Sequence, residues 1–184
     1  GLSTTGPDHL INVLDIANET PPNVTVERSS AQADPTNVSP IDFTVTFSEP
    51  INASTFTSAD LALGGTAGAT ATSITEIEPN DGTTFSISVS GMTASGTVTA
   101  SIGAGVVQDQ DGNWNTAGAG ANDTVTYDAV SPNVGAFTAA SSSKSLSIPI
   151  TFFTASDDMG ITAYMITELP ASPASSDTGW SESI

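Results

Sequence analysis

Ile41, Phe43, Val45 and Phe47 alternate with Asp42, Thr44, Thr46 and Ser48. Side chains along an extended strand point to opposite faces in turn, so this order gathers the apolar groups on one side and the polar groups on the other. A helix would scatter them around its axis. The segment is thereby committed to a strand with one buried face. The same period of two returns at Val24 and Val26, at Phe85, Ile87 and Val89, at Val98, Ala100 and Ile102, and at Val125 and Tyr127, each alternating with Ser, Thr or Glu. Composition agrees, with 52 Ser plus Thr, 16 Gly and 11 Pro among 184 residues, a profile of short strands and many turns.

Turn-forming clusters separate the strands: Asp34-Pro35-Thr36-Asn37, Gly64-Gly65-Thr66, Pro79-Asn80-Asp81-Gly82 and Gly91-Met92-Thr93. Less regular strands near 59–63 and 69–77 bring the number across 22–128 to about seven, which is what an immunoglobulin-like sandwich needs. The triplet Pro22-Asn23-Val24 returns as Pro132-Asn133-Val134, 110 residues later. Beyond it, Leu146, Ile148, Ile150 and Phe152 read as a second alternating strand, Asp157-Asp158 as an acidic turn and 161–167 as a third strand. His9 to Ile16 reads as a single strand, followed by a Pro-bearing joint. The expected fold class is all-β: tandem immunoglobulin-like β-sandwich domains, one complete and two partial. Residues 1–20 would be the closing strand of a preceding domain plus the joint, 21–128 the complete sandwich, and 129–184 the first half of a following domain. The alternative for 1–20 is an extension packed on the full domain.

Charge excludes several partners. Twenty acidic residues face one Lys, Lys144, and one Arg, Arg28, for a formal net charge of −18, so nucleic acid and anionic membranes would bind against repulsion. Bound cations would relieve the same repulsion. No Cys is present, which rules out disulfides and thiolate sites. No apolar run is long enough to insert in a membrane, and no secretory leader is visible; any export signal or anchor is expected outside this sequence. Five Asn-x-Ser/Thr triplets, at Asn18, Asn23, Asn37, Asn52 and Asn122, barely exceed chance in a chain this rich in hydroxyls.

No catalytic constellation stands out. His9 is the only His, and it has no nucleophile elbow to serve. Paired carboxylates fall only on turns, without the apolar flank that would raise one pKa for glycosidase chemistry. The complete domain has no Lys for an isopeptide crosslink. Trp114 and Trp180 read as anchors over a core end in preference to sugar platforms. The chain is therefore expected not to be an enzyme.

The stretch from Ala33 to Pro50, Ala33-Asp34-Pro35-Thr36-Asn37-Val38-Ser39-Pro40 followed by Ile41 to Phe47 and Ser48-Glu49-Pro50, resembles the opening of bacterial Ig-like repeats found in large surface proteins and adhesins. Ser90 to Val98, and Val107-Gln108-Asp109-Gln110-Asp111-Gly112-Asn113, look like that family's later strands and its Asp-x-x-Gly-Asn turn. Ser147 to Thr167, with Gly179-Trp180-Ser181, resembles a second, related repeat type. The resemblance implies an extracellular, cell-surface or secreted, repeated module with an adhesive or structural role. Near the start, Asp15-Ile16-Ala17-Asn18 matches the family's domain-closing turn only loosely and lacks its Gly.

Asp109, Asp111 and Asn113 occupy alternate positions with Gly112 between the last two, and hard oxygens so spaced can converge on Ca²⁺. An EF-hand is ruled out, because Gly120 stands where its closing Glu would be. In a seven-strand sandwich the loops after strands two and six share an end with the N-terminus, which would bring Glu49, Asn18 and Glu19 towards that loop. The counterpart at the next joint would use Asp128, Asp157 and Asp158. The competing reading makes all of these solvated acidic turns.

The leading functional expectation is a spacer or stalk in a large surface protein or filament, with neighbouring Ig-like domains as partners. The others are a glycan- or protein-binding Ig-like module and an accessory domain of a secreted hydrolase. Completion of the partial sandwiches by strands from neighbouring molecules is a further option.

Overall fold

A computed structural model describes residues 19–144, 148–167 and 171–182. The expected strand at His9–Ile16 lies outside the described residues. Seven strands form between 24 and 127: β1 (Val24–Arg28), β2 (Ile41–Phe47), β3 (Leu61–Gly64), β4 (Ala71–Glu76), β5 (Thr84–Ser90), β6 (Gly96–Ile102) and β7 (Thr124–Tyr127). They make two antiparallel sheets, ordered β1-β2-β5-β4 and β3-β6-β7. This is the four-plus-three strand order of a constant-type immunoglobulin sandwich.

The core follows from the alternation. Ile41, Phe43 and Val45 pair with Val89, Ile87 and Phe85, and all six are buried, while Thr44 and Ser86 between them face outward. Val98, Ala100, Ile102 and Val125 close the core from the other sheet. Each of the Val, Ile and Phe side chains taken fully from water contributes about 1.5–3 kcal/mol. One end is sealed by Phe47, Phe56 and Phe85, packed edge to face with centroids 5.2–5.9 Å apart.

Two sheet edges are covered by irregular chain. Thr36 pairs parallel with the edge of β7, its N–H donating to Thr126 O and its carbonyl accepting from Asp128 N–H. A strap at 116–122 runs over β1. Thr116 N–H donates to Pro22 O, and Arg28 N–H donates to Asn122 O. The Glu27 carboxylate accepts from Ala121 and Asn122 N–H.

Beyond β7, residues 128–132 lead to β8 (Asn133–Ala139), which pairs with β9 (Ile150–Ser156) in a two-stranded sheet. The expected inward set of this unit is corrected in part: Ile150 is partly buried, and Leu146 lies outside the described residues. Phe153 turns inward, packing edge to face between Phe137 and Tyr164, whereas Phe152 and Ile148 are 56% and 58% exposed. The aromatic stack and the register shift between Thr138 and Ala139 decide which face packs. The strand expected over 161–167 does not form; Tyr164 makes a single bridge to Ser181 instead.

Candidate metal centre

The loop after β6 does lie against the chain after β2: Ile51 bridges Asp109, and Asn52 N–H donates to Gln108 O. Asp109 is 3% exposed, and its carboxylate is turned into its own loop. Oδ1 accepts from the N–H groups of Asp111 and Asn113 at 2.9 and 2.8 Å, and Oδ2 accepts from Asn113 Nδ2 at 2.8 Å. Burial would raise the Asp109 pKa, but these donors, with Asn113 foremost, outweigh it and hold the carboxyl below its usual value. The Asp-x-Asp-Gly-Asn pattern thus builds a loop around one buried carboxylate. Asp111 is exposed, and Glu49 is partly buried beside the Ile51 bridge. Glu19 is exposed, and Asn18 lies outside the described residues.

Sequence reasoning missed the polar centre of that loop, Asn115, which is also buried. Its Oδ1 accepts from Val106 and Val107 N–H, and its Nδ2 donates to Gly103 and Thr116 carbonyls, at 2.7–3.0 Å. A lone Asn in a loop carries no periodic signal that would have revealed it. Trp114, expected to cover the core end, is instead 52% exposed; Phe56 fills that place. Trp180 is held by its own loop, with Nε1 donating to Ala174 O at 3.0 Å.

At the opposite end the sequence-expected trio does come together. Asp128 follows β7, and Asp157 and Asp158 follow β9; one carboxylate oxygen from each lies within 4.8 Å of the others. Asp128 is fixed by its N–H to Thr36 O, and its Oδ1 accepts from Val130 N–H. Asp157 Oδ1 accepts from Met159 N–H at 2.9 Å, while its Oδ2 is buried without a hydrogen-bond partner. Asp128 and Asp157 also line a groove of about 860 Å³ between the sandwich and the β8–β9 unit, whose apolar wall includes Val134, Phe153, Tyr164 and Trp180. Hard carboxylate oxygens in this arrangement suit a divalent cation.

The two-sheet order and the covered edges define an immunoglobulin-like module. A family model for the bacterial Ig-like domain matches residues 18–128, more than half of the chain, and the chain belongs to that family. Such domains occur in surface or secreted bacterial proteins, and the family indicates a generic extracellular module. No curated protein and no solved structure is significantly similar to the chain. Among the described residues no helix is long and apolar enough to cross a membrane.

Proposed function

We propose that the chain is a non-enzymatic spacer or stalk segment of a bacterial surface protein or filament, made of tandem Ig-like units. The observation that carries this reading is the path of the chain through the sandwich. It enters at Pro22–Asn23, beside Thr116 and Ser48, at the end where β6 finishes. It leaves at Asp128–Ala129, beside Thr36 and Ser95, at the end where β6 begins. Seven strand residues separate these ends by about 23 Å. A unit entered at one end and left at the other adds its length to the whole. Its outward strand positions, such as Thr44, Thr46, Ser86 and Ser88, are small hydroxyls with little to grip a ligand.

Cys-free composition gives a direct test. Spin labels at Thr25→Cys, beside the entry, and Ala94→Cys, next to Ser95 at the exit, should report one narrow distance beyond about 20 Å. A broad or short distribution would sink the stalk reading. A binding role is favoured by one observation, the half-exposed indole of Trp114. It predicts retention on a glycan array that Trp114→Ala abolishes, whereas the spacer reading predicts no retention.

A further inference from the structure

We propose that Asp128, Asp157 and Asp158 form a calcium site that crosses the joint between the sandwich and the β8–β9 unit, and that the bound ion holds the two in register. The site stands on its own geometry; its value in stiffening a stalk rests on the spacer reading.

Three observations converge. First, the ligand oxygens come from both ends of the joint, Asp128 directly after β7 and Asp157 and Asp158 directly after β9, and lie within 4.8 Å of one another. Two oxygens on opposite sides of one calcium ion, each at 2.3–2.6 Å, stand about 5 Å apart, so a single ion can reach all three. Secondly, Asp157 Oδ2 exposes less than 1 Å² and has no donor, although Oδ1 of the same carboxylate is satisfied by Met159 N–H. A buried carboxylate oxygen without a partner is costly, and a cation supplies what no protein donor does. Thirdly, no Lys or Arg among the described residues is paired with the trio, and Arg28 is already bound to Asp34 at 2.6 Å. Three carboxylates so close repel one another unless a cation sits among them.

The donor set is all oxygen, which favours a hard cation over zinc or copper. Calcium accepts an irregular shell completed by water, and the exposed Asp158 leaves room for it. Magnesium demands near-octahedral order at shorter distances. Three carboxylates plus water place the expected Kd at about 10⁻⁴–10⁻³ M, in the range of extracellular modules.

The test is calorimetric titration of the whole chain with calcium chloride. Asp128→Asn and Asp157→Asn should each weaken binding about tenfold or more, while Asp111→Asn, in the other acidic loop, should leave it unchanged. These replacements keep shape and remove charge, and urea midpoints without calcium show that each variant folds. Absence of binding up to about 10 mM calcium would overturn the site, as would loss of binding in Asp111→Asn with Asp157→Asn intact. Spin labels at Thr46→Cys and Thr151→Cys read the joint itself. Calcium should narrow their distance distribution, and binding without narrowing would overturn the claim that the ion holds the units in register. Neither result bears on the labels within the sandwich, so failure of this site and failure of the spacer reading remain separable.

Discussion

Asp109 shows how a residue chosen for metal chemistry can be spent on structure. Its carboxylate takes three hydrogen bonds within five residues of chain, and ionisation strengthens all of them. Because its folded pKa is depressed, its contribution is fully present above the unfolded value, about 3.9, and is lost as pH falls through the lower folded value. Asp109→Asn should therefore cost about 2 kcal/mol in urea denaturation at pH 7. That penalty should hold steady down to about pH 4 and then shrink as the wild-type carboxyl takes up its proton. A penalty independent of pH down to the acid transition would show that the charge does not matter there. Asn115 beside it makes four hydrogen bonds with one side chain, yet nothing in the order of residues marks it out. A polar group buried in a loop is defined by the carbonyls and amides that fold around it, and those come from positions 103 to 116.

Strands were legible to the degree that one of their faces is buried. β2 and β5 are dry on every second residue, and their alternation could be read without ambiguity. β4 is only partly buried on its inner face, and its ends blur accordingly. In β9 the consecutive Phe152 and Phe153 satisfy either phase of the period, so only packing on Phe137 and Tyr164 could choose between them. The strap at 116–122 has no period at all; what locates it is glycine. A Cβ at Gly118 would run into Val24, and one at Gly120 into the carbonyl of Val26 and the Glu27 carboxylate. Gly120→Ala should then lift the strap off β1 and destabilise the sandwich by about 1–3 kcal/mol. Gly103→Ala, where the nearest atom to the new methyl is Val106 Cγ1 at 3.9 Å, should change the urea midpoint little. Equal effects of the two would mean that close approach is not what the strap requires. The acidic trio at the joint was legible for a different reason: strand order alone places the end of β7 beside the turn after β9 once the chain passes straight through.

Across the molecule, apolar burial is unevenly shared. Among the described residues, all of the buried hydrophobic core lies between Val24 and Val125, whereas Val134, Phe137 and Phe152 are more than half exposed. A two-stranded sheet is marginal unless something packs on it, and here the packing is chiefly the ladder Phe137–Phe153–Tyr164 and the groove shared with the sandwich. The sandwich should therefore be indifferent to losing its neighbour, because none of its core side chains reaches across the joint. Brief digestion with a protease that cuts after aromatic residues should attack Phe137 and Phe152 first. The surviving fragment, still containing β1 to β7, should keep the thermal midpoint of the sandwich transition in the whole chain. The strands differ in the area they bury, so the two regions should open at different free energies. If digestion beyond 132 instead lowers the midpoint of the sandwich by more than a few degrees, the core assignment is too narrow and the joint carries folding energy as well as length.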